Sequence, residues 1–212
     1  HFLAGYPDDV PLVLDLASPR GITQLTDKLV FFTSGHPFSL YVNSHWRRFP
    51  LIDISGGNVS HAAISLALNL GAQRIYLGGI DFSYPDGKSY ARGTYLYRYF
   101  QQFSTRDRPL ESQFFTFLLR NTRISKEHIN EQIRYTTKPM ISYKKRLEKA
   151  FSSANAEFIP LEGNGVPLTF QTVTAETGSP VPQIFSAGKS LKNWKQFLGG
   201  YLEALESLRV PE

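Results

Sequence analysis

The stretch GGNVSHAAISLALNLGAQRIYLGGIDFSYPDGKSYARGTY, residues 56–95, decides how the chain is read. Val59, Ala62, Ala63, Leu66, Ala67 and Leu70 recur at steps of three and four, which lines one face of a helix, while Asn58 and Gly71 stand where a helix is capped and ended. RIYLGG (74–79) follows as an unbroken apolar run, expected as a central strand buried on both faces. Working outward, VPLVLDL (10–16) and KLVFFT (28–33) read as two further strands of the same kind, with GITQLTDK as a helix between them. Strands alternating with helices predict an α/β fold, a Rossmann-like three-layer arrangement around a mostly parallel sheet. From Thr94 the texture turns helical: TYLYRYFQQF, ESQFFTFLLR and a long basic stretch ending MISYKKRLEKAFSSA form a helical excursion over 94–150. EFIPLEGNG reads as a late strand and turn, and 162–188 as an irregular connection. A last helix, 189–208, places Leu191, Trp194, Phe197, Leu198, Tyr201, Leu202, Leu205 and Leu208 on one face for packing against the core. The expected division is a Rossmann-like domain over 1–160 and a C-terminal extension over 161–212.

Composition narrows the classes. With 212 residues, 42% apolar and 19% charged, the chain can bury a substantial core. Its apolar runs break well short of the roughly 20 residues that cross a bilayer, so no membrane partner is expected. The start, HFLAGYPDD, has no basic region, full apolar run or small-residue cleavage site, so a signal peptide is not expected, and its abrupt opening is expected of a fragment of a longer protein. The absence of cysteine excludes disulfides, zinc thiolate sites and a cysteine nucleophile, and leaves the cytoplasm as the default compartment. The net charge of +5 is uneven: residues 120–149 carry nine Lys or Arg against three Glu, so that segment is +6 and the remainder −1. Lys144, Lys145, Arg146 and Lys149 read either as a solvated helix face or as a surface for an anion; without an evident stacking platform, nucleic acid is not the expected partner.

Two constellations carry chemistry. Ser55, Gly56, Gly57 and Asn58 open the helix, where exposed N–H groups and glycines suit a phosphate or carboxylate; the same residues also make an ordinary turn and cap. The loop after Gly79 lies where a parallel sheet opens its ligand crevice. There Tyr84 and Tyr90 offer phenolic donors to phosphate oxygens, Lys88 and Arg92 offset charge, and Asp81 orients a ligand hydroxyl or ties down the loop. Pro85-Asp86-Gly87-Lys88 also reads simply as a β-turn. Both constellations are expected to face one cleft. His61 falls with Ser65 and Asn69 on the polar stripe of its helix and reads as exposed, His128 is the histidine nearest a lid, and His36 and His45 show no partner in sequence.

On Gly56, Gly57, Val59, Leu70, Gly71, Gly79, Asp81, Phe82 and Asp86-Gly87-Lys88, residues 51–98 resemble the motility accessory factor family, which shares a domain with 6-hydroxymethylpterin diphosphokinase-like proteins. Gly-Ile-Asp-Phe followed by two tyrosines six residues apart is also similar to the bacterial CMP-sugar-dependent sialyltransferases, although Ser83 stands where that family has no residue. That family's histidine base has no counterpart in context here, and nothing in this chain matches the Gly-rich nucleotide loop of the related domains. The resemblance implies a nucleotide or nucleotide-sugar ligand and transfer of a CMP-activated nonulosonic acid to a flagellin-like protein acceptor, with Tyr84 and Tyr90 on the leaving phosphate. Its diphosphokinase branch implies ATP with Mg2+, for which Asp15, Asp81 and Asp86 are the available carboxylates. A third reading is a non-catalytic structural or assembly module.

Overall fold

The computed structural model describes residues 3, 5–121, 123–129, 131–170 and 191–207. It is a mixed α/β structure in two compact units, one built from 3–55 with the described residues 191–207, the other from 56–170. The C-terminal helix therefore groups with the first 55 residues, where the sequence reading kept 1–160 together.

In the first unit, β1 (Leu12–Asp15) and β2 (Leu29–Phe32) pair in parallel from Leu12↔Leu29 to Asp15↔Phe32. Both are half-buried, with only Leu14 buried, so the expected cover on both faces is not found here. The helix expected in GITQLTDK shrinks to a 3-10 turn, Arg20–Gln24. Gly21 and the β-branched Ile22 and Thr23 are poor helix formers, and so short a segment cannot offset the cost of nucleation. Thr33 bridges to Leu51 in parallel. α1 (Pro37–His45) opens on Pro37, with His36 Nδ1 accepting from the Phe38 N–H. α6 (Trp194–Ser207) docks in this unit through Phe197, which is buried among the rings of Tyr41, Trp46 and Tyr201. Only part of the expected stripe is covered: Trp194, Leu198, Leu202 and Leu205 remain exposed, and Leu208 lies outside the described residues.

The second unit holds α2 (Val59–Asn69), β3 (Arg74–Leu77), β4 (Tyr84–Pro85), α3 (Tyr95–Gln102), α4 (Leu110–Leu118), β5 (Ile124–Ile129), β6 (Gln132–Thr137), α5 (Lys138–Phe151) and β7 (Glu157–Pro160). β3 and β7 form a parallel pair, and β4, β6 and β5, in that spatial order, form an antiparallel sheet. Ile64, Leu77, Phe82, Leu147 and Phe151 make the core, with Ile75, Leu68 and Phe158 packed against it.

Four expectations change in this unit. β3 is not central, since among the described residues it pairs with β7 alone. Ile75 and Leu77 face inward while Arg74 and Tyr76 face outward, and Arg74 Nε meets Glu157 Oε2 at 2.7 Å. A tyrosine tolerates a wet face, which hid the alternation in an apolar run. The helical excursion is interrupted by the β5–β6 hairpin. QIRYTT is rich in β-branched and aromatic residues, and the charges of SKEHI sit well on a solvated edge. α2 forms as expected, with the Asn58 Oδ1 cap accepting from the His61 N–H at 2.9 Å, but it buries a different face. His61, Ile64 and Ser65 are inside, while Val59, at the head of the expected apolar stripe, is 83% exposed. His61 is thus a core residue, its ring 4.7 Å from that of Phe151. Finally, the strands make two parallel pairs and one antiparallel sheet, so parallel pairing is not the general rule in the described residues. No helix among them is long and apolar enough to cross a membrane.

Candidate functional site

The site is built where β3 gives way to the loop that precedes β4. Gly79 adopts φ +69, a conformation glycine reaches without penalty, and Phe82 is held at φ 44, which a bulky side chain seldom adopts. The buried Phe82 ring, locked in the core, over-determines that backbone. Asp81, between them, is pinned from the far end of the unit. Its carbonyl accepts from the Val166 N–H at 2.8 Å, and a Cβ on Gly165 would fall 2.5 Å from the Asp81 Cα. Arg134, buried on β6, holds this overlay by donating to the Gly165 carbonyl at 2.5 Å and to Glu127 at 2.5 Å.

After Asp81 the chain turns back through β4. Asp86, at φ 51, donates from its N–H to the Ile133 carbonyl at 2.7 Å and accepts from the Ile133 N–H on its Oδ1 at 3.1 Å, so it extends the β4–β6 pairing. Gly87, at φ +72, lies against Phe115, whose ring leaves no room for a Cβ. The Asp-Gly-Lys segment is therefore a structural turn, with Lys88 Nζ 4.0 Å from Asp86 Oδ2 at an exposed position.

Beyond the turn lies a cavity of about 690 Å3, of the size that holds a nucleotide-sized ligand. Asp81, Ser83, Lys88, Tyr90, Arg92 and Glu111 supply its polar wall, and Tyr97 and Phe114 its apolar one. Four of the expected site residues thus converge: Asp81, Lys88, Tyr90 and Arg92. The Tyr90 ring also packs edge-on against Phe117 at 5.4 Å. Tyr84 stands differently. It is buried, pairs with Tyr135 across β4–β6, and is not in the cavity wall. Burial pushes its phenol above the ordinary tyrosine value, and Tyr90 and Tyr143 beside it push the same way. Tyr90 is raised by burial, then by Tyr95. Both phenols are therefore neutral donors at physiological pH.

The glycine turn does not join them. Ser55 closes the other unit, where its N–H donates to Asp53 Oδ1 at 2.8 Å. Gly56, Gly57 and Asn58 line neither this cavity nor a second one of about 660 Å3 that also includes Asp81, together with Glu162, Asn164 and Gly165. Each has an internal reason to be what it is: a Cβ on Gly56 would fall 2.1 Å from the His61 ring, one on Gly57 2.7 Å from Tyr143, and Asn58 caps α2. The one cleft expected for both constellations is thus not found. His128 is exposed on β5 and lines no cavity described here. Of the carboxylates weighed for Mg2+, Asp15 accepts from the Ala17 N–H and Asp86 from Ile133, and no group of three acidic or histidine side chains suited to a metal gathers among the described residues.

Two residues of the cavity wall, and one outside it beside Tyr84, were not legible beforehand. Ser83 reads as a spacer between Phe82 and Tyr84, yet the residue lines the cavity while its Oγ is buried without a hydrogen-bond partner among the described residues. Glu111 reads as an ordinary acid in the first turn of a helix. Tyr143 lies far along the chain, and only α5 packing brings it to Gly57 and Tyr84.

An uncharacterized protein of Treponema pallidum (strain Nichols) is 36% identical over 153 residues, 70% of this chain and 54% of that protein, so the chain spans about half the length of this curated relative. No family model and no solved structure matches the chain.

Proposed function

We propose that this chain is a glycosyltransferase-like domain that acts in the cytoplasm, transferring a CMP-activated nonulosonic acid to a protein hydroxyl, on a Rossmann-like three-layer architecture. The observation that carries the reading is the convergence of Asp81, Ser83, Lys88, Tyr90 and Arg92 on one cavity at the end of β3. Two cations and a phenol together suit the phosphate of a departing nucleotide, and a transfer reaction gains most from donors aimed at the charge that develops there. Asp81, with its backbone pinned by Val166, is a rigid acceptor for a sugar or ribose hydroxyl. The neutral phenol of Tyr90 donates directly, and Tyr84, behind it, positions it. The parallel pairs β1–β2 and β3–β7, with helical segments between their strands, support the architectural part of the proposal.

Calorimetric titration with CMP tests it. Tyr90→Phe removes one charge-assisted hydrogen bond of about 1.5–3 kcal/mol, so affinity should drop about ten- to a hundredfold with little change in melting temperature. Tyr84→Phe should weaken binding less, since its ring lies outside the cavity wall. Absence of CMP binding, or equal binding by the parent and Tyr90→Phe, sinks the reading.

A further inference from the structure

The basic segment 120–149 is redistributed by the fold. Lys144 Nζ is paired with Glu148 Oε1 at 2.6 Å, both side chains largely buried, and Arg134 is committed to Glu127 and Gly165. Arg120, Arg123 and Lys138, by contrast, have no carboxylate partner among the described residues. Topology brings these three together. Arg123 immediately precedes β5 and Lys138 immediately follows β6, and because Ile124 pairs with Thr137 the two cations leave the same end of the hairpin. Arg120 arrives from the end of α4, its guanidinium 5.9 Å from the Phe117 ring. With Asn121, Pro139 and Ser142 they line a cavity of about 400 Å3 that has no acidic residue in its wall.

A second observation comes from the helix that begins there. α5 runs for 14 residues from Lys138, so its positive end lies at this wall, and no side chain caps it. Its N-cap residue Thr137 is only 2% exposed, and Thr137 Oγ1 has no hydrogen-bond partner among the described residues. A buried hydroxyl without a partner is costly, and a cluster of cations without a counter-ion repels itself. Thr137 is not in the cavity wall, but the three cations are, and the ligand that relieves their repulsion is an anion with several acceptor oxygens.

We propose that this cavity binds a phosphoryl-bearing anion, held by the guanidinium groups of Arg120 and Arg123, the Lys138 ammonium and the start of α5. A carboxylate, with one charge, matches one of these cations. A phosphate ester or diphosphate matches two or more, and guanidinium groups hold phosphate oxygens in pairs. The assignment does not rest on the transferase reading.

Two probes separate the sources of such a group: inorganic pyrophosphate, titrated calorimetrically into the full chain, and phosphatidylcholine vesicles with or without phosphatidic acid, scored by co-sedimentation. Arg123→Gln and Lys138→Gln should each weaken binding about tenfold or more, and together abolish it. Melting temperatures should stay near the parent's, since both side chains are exposed. Pyrophosphate is titrated with CMP in excess, so that the cavity at β3 is taken up, and Lys145→Gln, at an exposed cation outside both cavities, should leave this binding unchanged. Pyrophosphate binding lost in the double variant assigns a soluble phosphate; binding only to phosphatidic acid vesicles, lost in the same variant, assigns a headgroup. Binding of neither probe, or binding that survives the double substitution, overturns the proposal.

Discussion

Tyr84 shows how one side chain can be both legible and misread. Its phenol, proposed from sequence as a phosphate donor, lies buried beside Tyr90 and Tyr143, and burial holds it in the neutral form above the usual titration range. The consequence for stability has a definite sign. Below the ordinary tyrosine value near 10 the phenol is protonated in both folded and unfolded chains; above it the unfolded chain loses the proton first, so stability falls as pH rises through the folded value. Urea midpoints measured from pH 8 to 11 should decline above pH 10 in the parent and decline less in Tyr84→Phe. Gly56 makes a sharper case. A Cβ there would meet the buried His61 ring at 2.1 Å, so Gly56→Ala should lower stability by about 1–3 kcal/mol in urea unfolding. Gly56→Ala in a His61→Ala background should cost distinctly less, because the clashing ring is gone. If the two substitutions simply add, the glycine is explained by something other than the histidine.

Among the elements, the β4–β6–β5 sheet governs the site although the charges within residues 124–137 masked its strand pattern. Arg134 couples that sheet to the segment over Asp81 through the Gly165 carbonyl. Arg134→Met should cost about 1–3 kcal/mol, chiefly from the carbonyl left without its donor, and hydrogen exchange at the Val166 amide should accelerate. Glu127→Gln, at a carboxylate that is 52% exposed, should change stability by well under 1 kcal/mol. Exchange at Val166 that is unaltered in Arg134→Met would show that the overlay is held without the arginine. The hairpin was invisible for a physical reason. Lys126, Glu127, His128 and Arg134 mix charge into the pattern at spacings that satisfy a solvated helix face as well as an edge strand. The strand at 74–77 erred the other way, because Tyr76 is apolar enough to pass for a core residue while 60% exposed.

For the whole molecule, every residue of the β3 cavity wall belongs to one compact unit, Gly56–Pro180 apart from the first two residues of the chain. That segment expressed alone should fold, by circular dichroism and a cooperative melt, and should bind CMP with nearly the affinity of the full chain; a soluble, folded fragment without CMP affinity would place necessary ligand contacts elsewhere. What the sequence determined by itself is local. The Asn58 cap, the helix end near Gly71, the turn at Asp86-Gly87 and the late strand at Glu157–Pro160 follow from side-chain hydrogen bonding and backbone freedom that act within a few residues. Asp81, Lys88, Tyr90 and Arg92 were legible for the same reason, being neighbours along one loop. Tertiary structure alone decided which face of α2 is buried, that residues 124–137 form a hairpin, and that Ser83, Glu111 and Tyr143 belong near the site. Periodicity states which residues share a face but not what covers it, and the approach of Glu111 to the Ser83 cavity and of Tyr143 to Tyr84 exists only after distant elements have packed.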